Sequence, residues 1–140
     1  MNSSRALAAL GILAATGLLL TACSLNALIW GPDGERVIDT TDRIIGSVQA
    51  GEADVDACAG ATLDIGDPLR WEGLSAGEPE RLTGDSWKEQ HAAGATWTIN
   101  LEGLDPSTAQ NGGEYPTFVF YSGDDEHLCV SDIEWGTVSF

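Results

Sequence analysis

Apolar residues recur along this chain with two different periods, and the order of the two constrains the fold more than any other feature. Val37, Ile38, Thr41, Ile44, Ile45 and Val48 fall at i, i+1, i+4, i+7, i+8 and i+11, which is one face of an amphipathic helix. Asp39, Asp42, Arg43 and Gln49 fall off that face, and Gly51 ends the pattern. In the last third the period is two. Ala95, Trp97, Ile99 and Leu101 alternate with Thr96, Thr98, Asn100 and Glu102. The run TFVFY at 117–121, bounded by Pro116 and Gly123, is aromatic and β-branched. Residues 128–135 alternate again, with Cys129, Ser131, Ile133 and Trp135 against Leu128, Val130, Asp132 and Glu134. A helix followed by a meander predicts an α+β domain, its N-terminal amphipathic helix packed on one face of a C-terminal antiparallel sheet.

The residues between these patterns are punctuated by turns. Residues 53–59 read as a short second helix capped by Asp54, with Cys58 near its end. Residues 63–71 read as a short strand followed by the turn Gly66-Asp67-Pro68, and residues 73–84 as a loop-rich stretch. SWKEQHAA at 86–93 suggests a further helical turn, and Gly123-Asp124-Asp125-Glu126 a hairpin turn.

The beginning of the chain belongs to a different kind of segment. Arg5 follows four residues without charge, and residues 6–20 are an almost unbroken apolar run. That run is shorter than the ~20 residues of a bilayer-spanning helix and has the length of a signal-peptide hydrophobic region. It closes on Leu20-Thr21-Ala22-Cys23. This tetrapeptide resembles the lipobox of bacterial lipoproteins: an aliphatic residue, two small ones, then cysteine. The resemblance implies that residues 1–22 are a cleaved signal peptide and that the Cys23 thiol carries diacylglycerol. It also implies that the mature chain is lipid-anchored on the extracytoplasmic face of the cell membrane, because two acyl chains give stable attachment. Residues 23–34 are then a membrane-proximal tether, unusually apolar at SLNALIW and closed by the turn signal Gly31-Pro32-Asp33-Gly34, and residues 35–140 are the extracytoplasmic domain. The apolar tether either lies at the lipid interface or packs on the domain.

Two further resemblances bear on the domain. The order of elements is similar in topology to NTF2-like and cystatin-like folds, in which a helix sits in the curve of an antiparallel sheet. The chain is also similar to a set of small actinobacterial lipoproteins that share W-x-G-L-S-A-G-E-P-E-R, here residues 71–81, and Cys-Val-x-Asp-x-Glu-Trp, here residues 129–135. That similarity implies location and no activity.

An exported domain occupies a disulfide-permissive compartment. With Cys23 acylated, Cys58 and Cys129 are the remaining pair, and a bridge between them would close a loop of about seventy residues, worth ~4 kcal/mol in the loop-entropy description. Two free thiols or a metal site are the alternatives, and the pair lacks C-x-x-C spacing.

Charge narrows the partners. The chain carries 22 Asp and Glu against 6 Lys and Arg, a formal charge of −16, and the part from Cys23 onward is one unit more negative because Arg5 is lost. Such a surface disfavours nucleic acid, whose phosphates require Lys and Arg, and disfavours a basic patch on anionic lipid. It keeps an exported domain dispersed or meets a cationic partner.

No phosphate loop, HExxH or EF-hand run is present in the sequence. Asp124-Asp125-Glu126-His127 offers oxygen and imidazole ligands, yet consecutive residues of a tight turn diverge, and a solvated turn is the simpler reading. Asp132 and Glu134 share one strand face and are the carboxylate pair a hydrolase would use. Trp30, Trp71, Trp87, Trp97 and Trp135 either fill the core or line a ligand cleft. The expected binding rim is the 71–81 stretch, with Trp71, Glu78, Glu80 and Arg81. The sequence therefore reads as a non-catalytic, membrane-anchored lipoprotein that binds a ligand or an envelope protein partner, with no cofactor and no metal. A small envelope hydrolase and a divalent-metal-capturing lipoprotein are the alternatives.

Overall fold

A computed structural model describes residues 24–52, 55–123 and 126–140 of the chain. It is α+β: a long helix, α1 (Leu25–Gln49), and a 4-stranded antiparallel sheet of β1 (Ser75–Arg81), β2 (Trp97–Glu102), β3 (Glu114–Gly123) and β4 (Leu128–Thr137), in the order β1-β2-β3-β4. A short helix, α2 (Lys88–Ala92), lies between β1 and β2, and a 3-10 turn (Pro68–Trp71) precedes β1. Among the described residues no helix is long and apolar enough to cross a membrane. Residues 1–23, which hold the expected signal segment and Cys23, lie outside the described residues, as do Ala53, Asp54, Asp124 and Asp125.

The amphipathic stripe forms as its spacing requires. Val37, Ile38, Thr41, Ile44, Ile45 and Val48 are all buried in α1, and Gly51 follows in the left-handed region (φ 75°), where a residue without Cβ can turn the chain out of the helix. The core continues through Trp71, Leu74, Trp97, Ile99, Val119, Tyr121, Val130 and Ile133. Within it the Tyr121 hydroxyl donates to Thr41 Oγ1 at 2.6 Å, because the Thr41 hydroxyl hydrogen is committed to the Val37 carbonyl at 2.7 Å.

The helix begins earlier than its apolar stripe. Residues from Leu25 onward are helical, and the turn expected at 31–34 appears as a kink: Gly31 adopts φ 73°, and Pro32, which has no N–H to leave unpaired, starts the second segment. Of the apolar residues before the kink, Trp30 packs against the core while Leu25, Leu28 and Ile29 face outward.

Three local readings are corrected by pairing between distant residues. The second helix expected at 53–59 is not formed: residues 55–58 are extended, Val130 N–H donates to the Asp56 carbonyl (2.7 Å) and Cys58 N–H to the Val130 carbonyl (2.8 Å), making a parallel bridge on the free edge of β4. The Cys58 and Cys129 sulfurs lie at disulfide distance there, with Cα atoms 4.9 Å apart. The short strand expected from Leu63 is replaced by an irregular segment, and the expected turn at Gly66-Asp67-Pro68 leads into the 3-10 turn, capped by Asp67 Oδ1, which accepts from Leu69 N–H at 3.0 Å. Part of the 73–84 stretch, expected as loop, is β1. It tolerates Pro79 because it is an edge strand with a register shift between Ala76 and Pro79. β3 likewise runs through Pro116, which lies beyond the stretch that pairs with β2 and beside a register shift, between Pro116 and Phe118, in the pairing with β4.

Candidate functional site

One helix cannot cover four strands. A helix is about 10 Å across, and four strands span roughly 15 Å. α1 sits over β1 and β2, so the strip in front of β4 must be covered otherwise. Leu63, Ile65 and Trp135 fill it at one end, where Gly66 admits the Trp135 ring edge. At the other end the strip stays open as a cleft of about 510 Å³ between α1 and the start of β4.

The helix wall of this cleft is Arg36, Thr40, Arg43 and Ser47, a polar stripe at i, i+4, i+7 and i+11 beside the apolar one. Ile44, Leu128 and Val130 supply apolar surface, and Asp56, Glu126 and His127 form the opposite wall. Arg36 and Arg43 are two of the five Lys and Arg residues that follow Cys23. Arg43 donates to Thr40 Oγ1 at 3.3 Å and makes no ion pair among the described residues, and Arg36 touches Asp33 only at 3.9 Å. The cationic wall is therefore weakly engaged by the protein itself. On the opposite wall His127 Nε2 meets Asp56 at 3.0 Å.

A second, more open cleft at the far end of the sheet is lined by Asp64, Asp67, Gln110 and Trp135. Its one cation, Arg70, is already held: it donates to the Tyr115 hydroxyl at 3.0 Å and to Gln110 at 3.1 Å, and its guanidinium lies 5.0 Å from the Tyr115 ring centroid. The first cleft is the better candidate because its two arginines, Arg36 and Arg43, are only weakly engaged.

The residues expected to form a rim are dispersed. Trp71 is fully buried, its indole N–H donates to the Ile65 carbonyl at 2.8 Å and its ring meets Trp135 edge-on, so it presents no surface to a ligand. Glu78, Glu80 and Arg81 are exposed along β1; Arg81 pairs with Asp33 at 2.9 Å and stacks over Trp97 at 4.4 Å. Trp97 belongs to the core, Trp30 and Trp135 pack against it, and Trp87 lies on the opposite sheet face against Phe118 and Phe120. The carboxylate pair also lies on that opposite face, Asp132 across from Phe120 and Glu134 across from Phe118. Asp132 accepts from the Ile133 N–H at 2.9 Å and from Gln90 at 3.3 Å. Among the described residues no three His, Cys, Asp or Glu side chains converge to hold a metal ion.

Sequence reasoning passed over Arg36, Thr40 and Ser47. Their signal was present as a basic and hydroxylic stripe beside the apolar one, in a chain otherwise dominated by acids. No family model matches this chain, and neither the curated proteins nor the solved structures provided a match to it.

Proposed function

We propose that this chain is a non-catalytic lipoprotein, anchored through Cys23 on the extracytoplasmic face of the membrane, whose domain binds a small acidic ligand in the α1–β4 cleft. The anchor rests on the lipobox Leu20-Thr21-Ala22-Cys23 and the signal-like segment before it. A sheet curved about α1 in the NTF2-like or cystatin-like manner belongs to the same reading. One observation carries the ligand class: Arg36 and Arg43 face one cleft with two hydroxyls on the same stripe, in a protein whose surface otherwise repels anions. Guanidinium groups recognise carboxylate and phosphate through forked donors, and they gain most where apolar walls exclude water.

The ligand arm is tested by nuclear magnetic resonance titration of the folded protein with citrate and, separately, inorganic phosphate. Saturable shifts at Thr40, Arg43 and Val130, lost in Arg43→Ala, are expected; shifts absent or unchanged in the variant overturn it. The anchor arm is tested by Cys23→Ala, which should abolish processing and partition into detergent.

A further inference from the structure

The first turn of α1 leaves no slack between Cys23 and the folded domain. Ser24 alone separates the two, and it is tied on both sides. Its Oγ accepts from the Ala27 N–H at 3.1 Å and donates to the Glu35 carboxylate beyond the kink. Trp30 packs against the core, close to Gly34. The segment before the kink therefore moves with the domain.

Its outer face is apolar. Leu25, Leu28 and Ile29 are 69%, 71% and 59% exposed, and they stand at i, i+3 and i+4, on one side of the helix. No charged residue occurs from Ser24 through Pro32, and the first acid, Asp33, follows the kink. The other large exposed apolar residues among those described, Leu69 and Phe140, belong to neither this helix nor each other's segment.

We infer that Leu25, Leu28 and Ile29 lie in the headgroup region of the leaflet that holds the Cys23 lipid, so that the domain is seated on the bilayer instead of swinging on a tether. The inference rests on acylation of Cys23, as proposed above. A thioether-linked diacylglycerol places Cys23 at the membrane surface. Two residues of extended chain reach at most about 7 Å, comparable with the thickness of one polar interfacial layer, so Leu25 stays within that layer. Apolar helix faces partition there, and no charged residue before Asp33 has to enter that layer with them.

The full chain, processed in cells, is prepared as Leu28→Cys and, for comparison, Leu69→Cys. With Cys23 acylated and Cys58 joined to Cys129, the introduced thiol is the one that reacts, and it is labelled with an environment-sensitive fluorophore. The protein is reconstituted in phosphatidylcholine vesicles containing a lipid with a nitroxide near its headgroup. Quenching severalfold stronger at position 28 than at position 69, on a chain whose mass includes the diacylglyceryl group, is the expected result. Equal quenching on an acylated chain overturns the seating and leaves the lipoprotein reading standing. A blue-shifted but unquenched label at position 28 assigns the face to a second copy of the chain and overturns it as well. A chain without the added mass overturns the lipoprotein reading and this inference with it.

Discussion

The buried pair Thr41–Tyr121 shows how much one hydroxyl decides. Tyr121 is fully enclosed, and its hydroxyl is satisfied by Thr41 Oγ1, which passes its own hydrogen to the Val37 carbonyl. Thr41→Val keeps the shape and strands the phenol, so a loss of about 1–3 kcal/mol is expected in urea unfolding. Tyr121→Phe removes the stranded group itself, and its loss should be the smaller, about 0.5–1.5 kcal/mol. In the double variant the effects should be less than additive, because the second change removes the orphan that the first creates. The same burial sets a pH dependence. Desolvation, partly opposed by the Thr41 hydrogen bond, raises the Tyr121 phenol well above its ordinary value of 10.0. Below that ordinary value both folded and unfolded chains keep the proton, and the group contributes no pH dependence. Above it the unfolded chain releases the proton and the folded chain holds it, so stability falls as pH rises, by up to about 1.4 kcal/mol per pH unit for this group. Phenolate absorbance from Tyr121, isolated by difference against Tyr121→Phe, should rise together with the loss of circular dichroism; ionisation in a chain that stays folded would contradict the burial.

The glycines of α1 separate what helix propensity requires from what packing requires. Gly46 is exposed, and a Cβ there would meet nothing within 4 Å, so Gly46→Ala should stabilise by about 0.5–1 kcal/mol through the unfolded chain's lost freedom. Gly34 lies in the same helix, but a Cβ there would stand 2.6 Å from the Cβ of Trp30 and 3.4 Å from the Pro79 ring. Gly34→Ala should therefore destabilise, by about 1–3 kcal/mol, and expose Trp30, which a red shift of tryptophan emission would report. Gly34 closes the turn signal Gly31-Pro32-Asp33-Gly34, and the crowding there arises from the kink, which brings Trp30 back onto the helix. This division marks what was legible in the sequence generally. The stripe from Val37 to Val48, the alternation in β2 and β4, and the short helix at Lys88–Ala92 follow from spacing alone. β1 does not, because SAGEPER has no apolar alternation and contains both Gly77 and Pro79. It is a strand because β2 pairs with it, and because Asp42 and Asn100 side chains accept from the Ala76 and Glu78 N–H groups at 2.9 and 2.7 Å. The expected helix at 53–59 fails for the same reason, its backbone groups being taken by Val130. The cleft was half legible: its helix wall is a stripe in the sequence, whereas Asp56 and His127 reach the other wall only through the fold.

Across the whole molecule, α1 leaves the β4 side of the sheet uncovered, and the segment around Cys58 closes part of that edge. Two backbone hydrogen bonds to Val130 and the packing of Val55 are modest restraints for a strand edge that would otherwise offer its N–H and C=O groups to another chain. The link from Cys58 to Cys129 converts them into a permanent seam, and its sequence separation of 71 residues encloses the 3-10 turn, β1, α2, β2 and β3. Closing a loop of that length in the unfolded chain corresponds to about 4 kcal/mol in the loop-entropy description, a large share of the ~5–15 kcal/mol typical of a whole domain. Replacing Cys58 and Cys129 together by Ala should lower the urea midpoint accordingly with an unchanged fold in circular dichroism. The losses of local protection should be uneven. Amide exchange should rise first at residues 55–58 and at Val130, whose partners lie across the seam, while Ile99 and Val119 at the centre of the β2–β3 pair exchange only with global unfolding. A drop below about 1 kcal/mol, or uniform exchange across the sheet, would mean that the α1–sheet core closes the molecule without the seam.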